Sequence, residues 1–279
     1  FDLSGKTALV TGGASGLGYY MARGLMRSGA KVMIAARRED VLREGARKLR
    51  AESQSGDILH QRVDLADRSS IETLIHHAIA TLGGVDILVG NAALSVLEPM
   101  ESIKDESVDA MVQVNVASNI ALFRAFVPGM RKKRWGRAIF VSSATSLAAS
   151  AQEGMGVYAV TKGALNAFTH TAAAETGHDG ITVNSIILGA YVTDLMEDLM
   201  KEVRKNQGEA GLKAFNDMFA GMTALGRMGR SDEVEGVIQF LASDAASYVT
   251  GTNMVIDGGM STMLRPNPPP PAPVYPNNF

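Results

Sequence analysis

Residues 7–18 read TALVTGGASGLG, which is the strongest local indication of the fold in this sequence. Thr7–Thr11 is a short strand-like run of the kind that is buried in a sheet. The glycines after it predict a tight turn, because glycine adopts backbone conformations that are closed to other residues. A helical pattern then continues to about Ser28. The stretch therefore predicts a strand, a glycine-rich turn and a helix, which begin a parallel βαβ unit.

The same alternation of strand and helix continues along the chain. Because the predicted strands are continuously apolar, we expect a parallel sheet that is covered by helices on both faces. The predicted fold class is α/β, a doubly wound parallel sheet of the Rossmann type in three layers. Further strands are predicted at Lys31–Ala35, Leu59–Val63, Val85–Val89, Arg137–Val141, Thr182–Ile187 and Asn253–Ile256. Helices are predicted at Arg38–Ala51, Ser70–Leu82, Asp105–Arg131, Tyr158–Thr176 and Asp232–Leu241.

A single domain is predicted for residues 1–264, followed by a proline-rich tail at 265–279. The stretch between Thr193 and Gly229 is rich in Met, Phe and Leu, and we interpret about 193–228 as a lid over a ligand. Pro266–Pro276 predicts extended, polyproline-like structure. This segment is either a flexible tail or an arm that packs on a neighbouring subunit.

Composition and charge argue against several classes of function for this chain. The 279 residues are 46% apolar and 20% charged, and the net charge of −2 gives no reason to expect nucleic acid or an anionic membrane as partner. We expect no membrane span, because no apolar run reaches the roughly 18 residues required. The start, FDLSGK, lacks the apolar stretch of a signal peptide. The absence of cysteine excludes disulfides and thiolate catalysis and fits a reducing cytoplasm, which is the expected location.

Several other catalytic classes lack their motifs. The five histidines show no HExxH pattern, so no metal site is predicted. A hydrolase with a serine nucleophile would need a GxSxG elbow, which this sequence does not contain. The basic run Arg131–Arg134 follows a predicted helix, where cations complement the helix dipole. We therefore interpret this run as a helix end and not as a nucleic-acid contact.

The glycine-rich turn predicts a site for a dinucleotide. Gly12, Gly16 and Gly18 lie between the first strand and the first helix. They allow a pyrophosphate to approach the amides at the helix N-terminus, where the helix dipole favours anions. Ser15 and Leu17 belong to the same turn and are predicted contacts as well. The spacing is GxxxGxG and not the more common GxGxxG, and a purely structural turn is the alternative interpretation.

The residues at the end of the second strand indicate which of the two nicotinamide cofactors binds. An NAD site usually has a carboxylate there for the ribose 2′-hydroxyl, but the expected position holds Ala36. Arg37 and Arg38 follow, and arginine binds a 2′-phosphate with forked hydrogen bonds. We therefore predict NADP(H) over NAD(H). In the alternative interpretation the arginines only begin a solvated helix, where Glu39 and Asp40 balance their charge.

Tyr158 and Lys162 form a YxxxK pattern after the strand that ends near Ser142-Ser143. Residues four apart share one face of a helix, so the phenol and the ammonium lie side by side. The positive charge favours the phenolate and lowers the cost of releasing the phenol proton. The pair is therefore a candidate for proton transfer.

With these features the chain resembles the short-chain dehydrogenase/reductase family, in its branch of about 250 residues. The resemblance covers nearly everything from Leu3 to Ser261 and implies a Rossmann-fold oxidoreductase acting on alcohol or carbonyl groups. The matching motifs are the turn Thr11–Gly18, Asp64-Leu65 beside the adenine, Asn91-Ala92-Ala93 in the central sheet, the catalytic set Asn115, Ser143, Tyr158 and Lys162, and the nicotinamide turn with Gly189, Tyr191 and Thr193.

The resemblance also implies a mechanism for the site. Tyr158 exchanges a proton with the carbonyl oxygen, and Ser143 hydrogen-bonds the same oxygen. Lys162 lowers the Tyr158 pKa and holds the nicotinamide ribose, while Asn115 positions a water that relays protons to Lys162. Two alternatives remain open: an NAD-dependent alcohol dehydrogenase of the same family, and a regulatory protein that binds a dinucleotide without turnover.

The chain departs from the family pattern near the catalytic serine. Ser143 lies fifteen residues before Tyr158, two more than usual, and Thr145 would restore the usual spacing. We favour Ser143 because it directly follows the strand, and we place the extra length in the loop 149–157. Leu94 replaces the usual glycine after Asn-Ala-Ala, and Leu188 replaces the usual proline before Gly189.

Substrate and assembly are predicted only coarsely. The predicted substrate contacts are Ser143, Met155, Tyr158 and Met196. The lid residues either line an apolar, adaptable pocket or are simply the buried faces of two lid helices. We favour a medium-sized apolar or aromatic ketone as the substrate. The resemblance implies a homodimer or homotetramer formed through the long helices and the last strand. The apolar lid residues are Leu195, Met196, Leu199, Met200, Phe215, Met218, Phe219 and Met222.

Overall fold

A computed structural model describes residues 1–53, 58–148 and 153–262 of the chain, with the Leu195 side chain left out. The predicted proline-rich tail at 265–279 and the loop residues 149–152 lie outside the described residues. The strands are β1 Thr7–Thr11, β2 Lys31–Ala36, β3 Ile58–Arg62, β4 Ile87–Gly90, β5 Gly136–Ser143, β6 Ile181–Leu188, β7 Tyr191–Val192, β8 Gly229–Arg230 and β9 Asn253–Ile256. The α-helices are α1 Gly16–Arg27, α2 Glu39–Glu52, α3 Arg68–Leu82, α4 Asp105–Val112, α5 Ser118–Lys133, α6 Gly156–Thr176, α7 Asp194–Gly221 and α8 Glu235–Ala242.

Seven strands form one sheet in the order β3-β2-β1-β4-β5-β6-β9, and every neighbouring pair is parallel. The predicted doubly wound α/β fold is therefore confirmed. The chain winds outward from β1 in one direction through β3 and in the other from β4, so the strand order reverses between β1 and β4. In such sheets ligands bind at the carboxyl ends of the strands beside this reversal.

The pleat of the strands explains why both faces of the sheet are covered. Along β1, Ala8 and Val10 belong to one apolar cluster and Leu9 to the other, because successive side chains point to opposite faces. The first cluster packs residues of α1, α2 and α8 on the sheet. The second cluster packs residues of α3, α5 and α6 on the opposite face. The result is the predicted three-layer arrangement.

The long helix predicted at Asp105–Arg131 is interrupted. Helix α4 ends at Val112, a wide π-helical turn follows at Gln113–Ala117, and α5 begins at Ser118. By length and composition alone, Asp105–Lys133 is apolar enough to cross a membrane, contrary to the expectation from the sequence. However, α5 buries Leu122, Phe123 and Phe126 in the second apolar cluster, so we interpret the stretch as a core helix.

The predicted lid corresponds to α7 and its two flanks. Strands β7 and β8 pair with each other and bring the start and the end of this segment together, which the sequence did not predict. Helix α7 is broken at Gly208, whose φ of 69° and ψ of −168° are not helical. The segment therefore contains two helical pieces, as predicted. Leu199 and Met218 are 43% and 49% exposed, so the predicted burial of the lid side chains holds only in part.

Two glycines should respond to alanine in opposite ways. Gly163 lies inside α6 with open space around the position that a Cβ would take, so Gly163→Ala should stabilise the fold by about 0.5–1 kcal/mol. A Cβ at Gly18 would overlap the Gly12 carbonyl oxygen, so Gly18→Ala should destabilise it by about 1–3 kcal/mol. Urea denaturation of both variants measures the two changes. Equal free energies of unfolding would contradict this account of the turn.

Candidate active site

Ser143 and Tyr158 meet at the carboxyl edge of the sheet. Ser143 is the last residue of β5, and Tyr158 lies in the first turn of α6. Burial raises the pKa of the Tyr158 phenol and hydrogen bonding from the Ser143 side chain offsets part of this rise, so the two side chains are neighbours. The Thr145 amide and hydroxyl both donate to Ser143 Oγ, at 3.3 and 3.0 Å. Ser143 and Thr145 were the two candidates for the catalytic hydroxyl. The structure places Ser143 next to the phenol, and Thr145 donates hydrogen bonds to Ser143.

Lys162 is buried on the same helix, one turn beyond Tyr158. Its Nζ donates to the Val141 carbonyl at 2.7 Å and lies 5.5 Å from the centroid of the Tyr158 ring. Burial lowers the pKa of Lys162 to about 8, because an ammonium loses hydration there. Burial also raises the pKa of the Tyr158 phenol, and the bond with Ser143 offsets this only in part. The Lys162 ammonium is held at the Val141 carbonyl, so the lowering of the Tyr158 pKa by Lys162 stays a prediction.

Asn115 lies in the wide turn between α4 and α5, fully buried, and its amide is engaged on both sides. Its Oδ1 accepts from Leu94 N at 2.7 Å, and its Nδ2 donates to Leu94 O at 2.8 Å and to Thr161 Oγ1 at 2.9 Å. Thr161 Oγ1 in turn donates to the Tyr158 carbonyl at 2.7 Å. The side chain therefore braces the loop after β4 against the helix of Tyr158, and any relay to Lys162 has to use the Asn115 backbone.

The glycine-rich turn after β1 has the backbone conformation predicted for a pyrophosphate site, and we call it the glycine cradle. Gly12 has φ 66° and Gly16 has φ 52°, both in the left-handed region that glycine favours. Asn91 Nδ2 donates to the carbonyls of Thr11 and Gly12, at 2.9 and 3.3 Å, and so ties β4 to the turn after β1. Asn91 is structural in this position. Ser15 precedes α1 as its N-cap residue in extended conformation, and Leu17 packs against the first apolar cluster.

A cavity of about 320 Å³ lies beside this turn, at the ends of β2, β3 and β4. It collects most of the residues predicted to hold the adenosine half of the cofactor. Asp64 Oδ1 accepts from Ala66 N at 3.0 Å, which shapes the loop after β3. The lining residues that were not predicted include Ala110 and Val114, whose spacing of four on the predicted helix that carries Asn115 is a usable signal. The predicted residues in the lining are Gly12, Arg37, Arg38, Asp64, Leu65 and Ala92.

The turn after β6 connects the sheet to the lid. A Cβ on Gly189 would lie 2.7 Å from Asp257 Cβ, so the close approach of the two chain segments requires glycine. Thr193 Oγ1 accepts from Met196 N at 3.4 Å and caps α7. Tyr191 differs from the prediction: it is 7% exposed and its hydroxyl donates to the Ile256 carbonyl at 2.9 Å. A cofactor contact by Tyr191 has to come from its backbone, because the side chain packs on β9.

Residues 97–100 meet residues 154–156, which directly precede Tyr158 in the chain, and we call these two segments the rim. A Cβ on Gly154 would lie 2.7 Å from Glu98 N, and one on Gly156 would lie 2.5 Å from Met100 Cε. The predicted substrate residue Met155 lies between these two contacts. Leu97 and Met100 are 50% and 67% exposed and were not predicted, because nothing in the local pattern pairs residues so distant.

The sequence predicted neither a metal site nor a nucleic-acid contact, and the described residues bear on both. Within residues 1–53, 58–148 and 153–262, no group of three or more His, Cys, Asp or Glu side chains is arranged to hold a metal ion. In the basic run, Arg131 and Arg134 form ion pairs with Asp179 at 2.8 and 3.0 Å, and Lys133 pairs with Asp86 at 2.6 Å. The run is thus largely neutralised by neighbouring carboxylates.

Comparison with known proteins identifies the family. The sequence profile of the short chain dehydrogenases matches residues 6–204. The chain belongs to the short chain dehydrogenase family. As a member, it is an oxidoreductase that acts on CH–OH or C=O groups, since its relatives are dehydrogenases and reductases of these groups.

Three members of the short chain dehydrogenase family illustrate the similarity. The D-beta-hydroxybutyrate dehydrogenase of Rhizobium meliloti is 32% identical over 255 residues, which are 91% of this chain and 98% of the relative. The 3-oxoacyl-[acyl-carrier-protein] reductase FabG of Pseudomonas aeruginosa is 34% identical over 259 residues, covering 93% and 98%. The L-sorbose reductase of Gluconobacter frateurii, solved with NADPH and L-sorbose, superposes with a TM-score of 0.88 at 32% identity, covering 94% and 99%.

The burial of Lys162 makes a prediction about stability and pH. The ammonium of the folded protein loses its proton above a pKa of about 8, well below the ordinary value of 10.5, so below pH 8 the buried charge destabilises the fold by roughly 2–4 kcal/mol. The cost declines as pH rises from about 8 to about 10.5, because the folded state then releases the proton. Lys162→Met should therefore be more stable than the wild type at pH 7, with a gap that closes towards pH 10.

Chemical denaturation between pH 6 and pH 10 tests this expectation, with the exposed Lys132→Met as the control whose stability should follow the wild type at every pH. A Lys162→Met variant that is less stable than the wild type at pH 7, or a gap that does not change with pH, contradicts the proposed cost of the buried charge.

Proposed function

We propose that the chain is an NADP(H)-dependent ketoreductase that interconverts a carbonyl group and a secondary alcohol. The observation that carries this proposal is the hydrogen-bonded Ser143–Tyr158 pair at the carboxyl edge of the sheet. The pair lies at the strand ends where the glycine cradle and the adenosine cavity also open. Family membership supports the same class of reaction.

The residues of the cradle and the cavity fit a dinucleotide. Positive φ angles at Gly12 and Gly16 and the close approach at Gly18 leave backbone amides for the pyrophosphate. The cavity has mainly small apolar walls for the adenine, with Asp64 and the two arginines as polar groups. A bound nicotinamide supplies the hydride in such a site.

The chain's own residues handle the proton and the developing charge. Ser143 hydrogen-bonds the carbonyl oxygen, and Tyr158 delivers its proton to that oxygen during reduction and takes it back during oxidation. Because burial raises the pKa of Tyr158, the phenol stays protonated at neutral pH and is ready to act as the acid. Lys162 holds the nicotinamide ribose once its ammonium leaves the Val141 carbonyl. The Asn115 carbonyl would position the water that relays protons to Lys162, because the Asn115 side chain is already engaged with Leu94 and Thr161.

The choice of NADP(H) rests on the end of β2. Ala36 is small, and Arg37 and Arg38 line the same cavity as Asp64, close to where the adenosine ribose would lie. Both arginine residues are exposed, so a 2′-phosphate can reach their side chains without a change in packing. The L-sorbose reductase was solved with NADPH, which supports the same preference. An NAD-dependent dehydrogenase is the alternative that the cofactor titration below tests.

The proposed substrate is a neutral, medium-sized apolar ketone. Leu97 and Met100 belong to the rim, and Leu147 follows Ser143 and is 50% exposed. Glu98 lies between Leu97 and Met100 in the sequence, and we propose that its carboxylate, which accepts from Lys104 N at 3.0 Å, disfavours a negatively charged substrate. We propose that residues 193–228 close over this rim as a lid, with Met155 and Met196 as substrate contacts.

We also propose a cytoplasmic homo-oligomer, a dimer or a tetramer, with residues 1–264 as its folded domain. Val112 and Ile120 on the long helices are 43% and 37% exposed, and Val255 on β9 is 43% exposed. Apolar side chains exposed on the elements expected at the subunit contacts support this assembly.

The function is tested by following NADPH absorbance with a panel of neutral aryl and alkyl ketones, keto acids of matched size and keto sugars. Tyr158→Phe should reduce kcat by about 10²–10⁴-fold while the Kd for NADPH stays within about twofold, because only the proton donor is lost. Tyr248→Phe is the control, since that side chain is fully exposed and should behave as the wild type. NADPH binding without turnover of any carbonyl would favour the regulatory alternative.

The cofactor preference is tested by fluorescence titration. Replacing both Arg37 and Arg38 with alanine should weaken NADPH binding by about 10²–10⁴-fold, because each charge-assisted bond to phosphate contributes about 1.5–3 kcal/mol, and should leave NADH binding unchanged. Arg43→Ala, on the exposed face of α2 beside Glu39, is the matched control. Equal losses for NADPH and NADH would contradict a specific contact with the 2′-phosphate.

A further inference from the structure

The wide turn inside the long helix is closed by unusual bonds. The Ser118 N–H donates to the Gln113 carbonyl, five residues back, where a regular α-helix would use Val114. The Val114 carbonyl receives the Ser118 hydroxyl instead, at 2.6 Å. Turns of this kind are rare and occur mostly at functional sites. The turn is what places Asn115 between Leu94 and Thr161.

Asn119 holds the next carbonyl of the same turn. Its Nδ2 donates to the Asn115 carbonyl at 2.8 Å, and the residue is only 2% exposed. A Cβ on Gly90 would overlap Asn119 Oδ1, so the amide is wedged between the end of β4 and the turn. Among the described residues, Asn119 Oδ1 has no hydrogen-bond partner.

Packing alone does not explain an asparagine at this position. A buried amide oxygen without a partner destabilises the fold, and an apolar side chain of similar size would avoid that cost. The one bond that the amide makes within the described chain goes to the Asn115 carbonyl. The useful part of Asn119 is therefore its N–H donor.

We propose that Asn119 is a positioning residue of the active site. By holding the Asn115 carbonyl, it keeps the Asn115 amide on Leu94 and Thr161, and Thr161 carries the constraint to the Tyr158 backbone. Loss of the donor lets the turn rotate, which moves both the loop after β4 and the first turn of α6. This proposal rests on the proposed function, because Tyr158 is the group that it positions.

The test compares Asn119→Thr with Asn119→Val, which have the same shape and differ in one donor. A threonine hydroxyl can donate to the carbonyl four residues back, as Ser118 does here. We expect Asn119→Val to lower kcat by about 10- to 100-fold at unchanged Kd for NADPH, and Asn119→Thr to recover most of that loss. Thr171→Val makes the same donor-to-methyl change on the exposed face of α6 and should leave kcat unchanged.

Amide hydrogen exchange at Leu94 gives a second readout that needs no turnover. The Leu94 N–H donates to Asn115 Oδ1, so its exchange should become about tenfold faster in Asn119→Val and much less so in Asn119→Thr. Equal kcat and equal Leu94 exchange in the two variants would overturn the proposal. A loss of kcat in both variants that is proportional to their loss of stability in urea would also overturn the proposal. A wild type without turnover refutes the proposed function, and Leu94 exchange then still decides whether Asn119 positions Asn115.

Discussion

The constraint on which the rest of the structure depends is the parallel direction of all seven strands in the main sheet. It brings every carboxyl end to one edge, where the chain has to leave the sheet and polar backbone groups become available. The glycine turn follows β1, Asn91 follows β4, and Ser143 ends β5. Asn91 then holds two of these ends together through the carbonyls of Thr11 and Gly12. Residues far apart in the sequence thus meet in one site because the strand ends that carry them lie side by side.

The same edge concentrates polar groups that reduce the stability of the fold. Lys162 carries a buried ammonium, Tyr158 a buried phenol, and Asn119 an amide oxygen without a partner in the described chain. Each would be replaced by an apolar residue if packing alone mattered. Their position on α5 and α6, which are packed into the central sheet, keeps them fixed in spite of this cost. Rigid secondary structure supplies the precision that the proposed proton transfer requires.

The sequence predicted the parts of the site that have a local signature. Gly12 to Gly18 and the Tyr158–Lys162 spacing are short-range patterns, and the structure places both at the expected edge. The wide turn at Gln113–Ala117 was missed because its side chains keep the periodicity of an ordinary helix. Strands β7 and β8 have two residues each, too few for any alternation to show. The rim formed by residues 97–100 and 154–156 depends on contacts between distant segments, which no local pattern encodes.

The residues proposed for proton transfer and those proposed for substrate recognition lie on helices that are packed differently. Tyr158 and Lys162, the residues proposed to handle the proton, lie on α6, which packs against β5 and β6 and contributes Leu165, Ala172 and Ala173 to the core. Of the described side chains on α7, none is among the buried residues of either apolar cluster, and Gly208 interrupts this helix. The cap at Thr193 and the short β7–β8 pair anchor it near the site. A segment held at its ends can adapt its Met and Phe side chains to a substrate while the reacting groups stay in place. We therefore expect the substrate of this chain to depend on the proposed lid and rim more than on the residues proposed to move the proton.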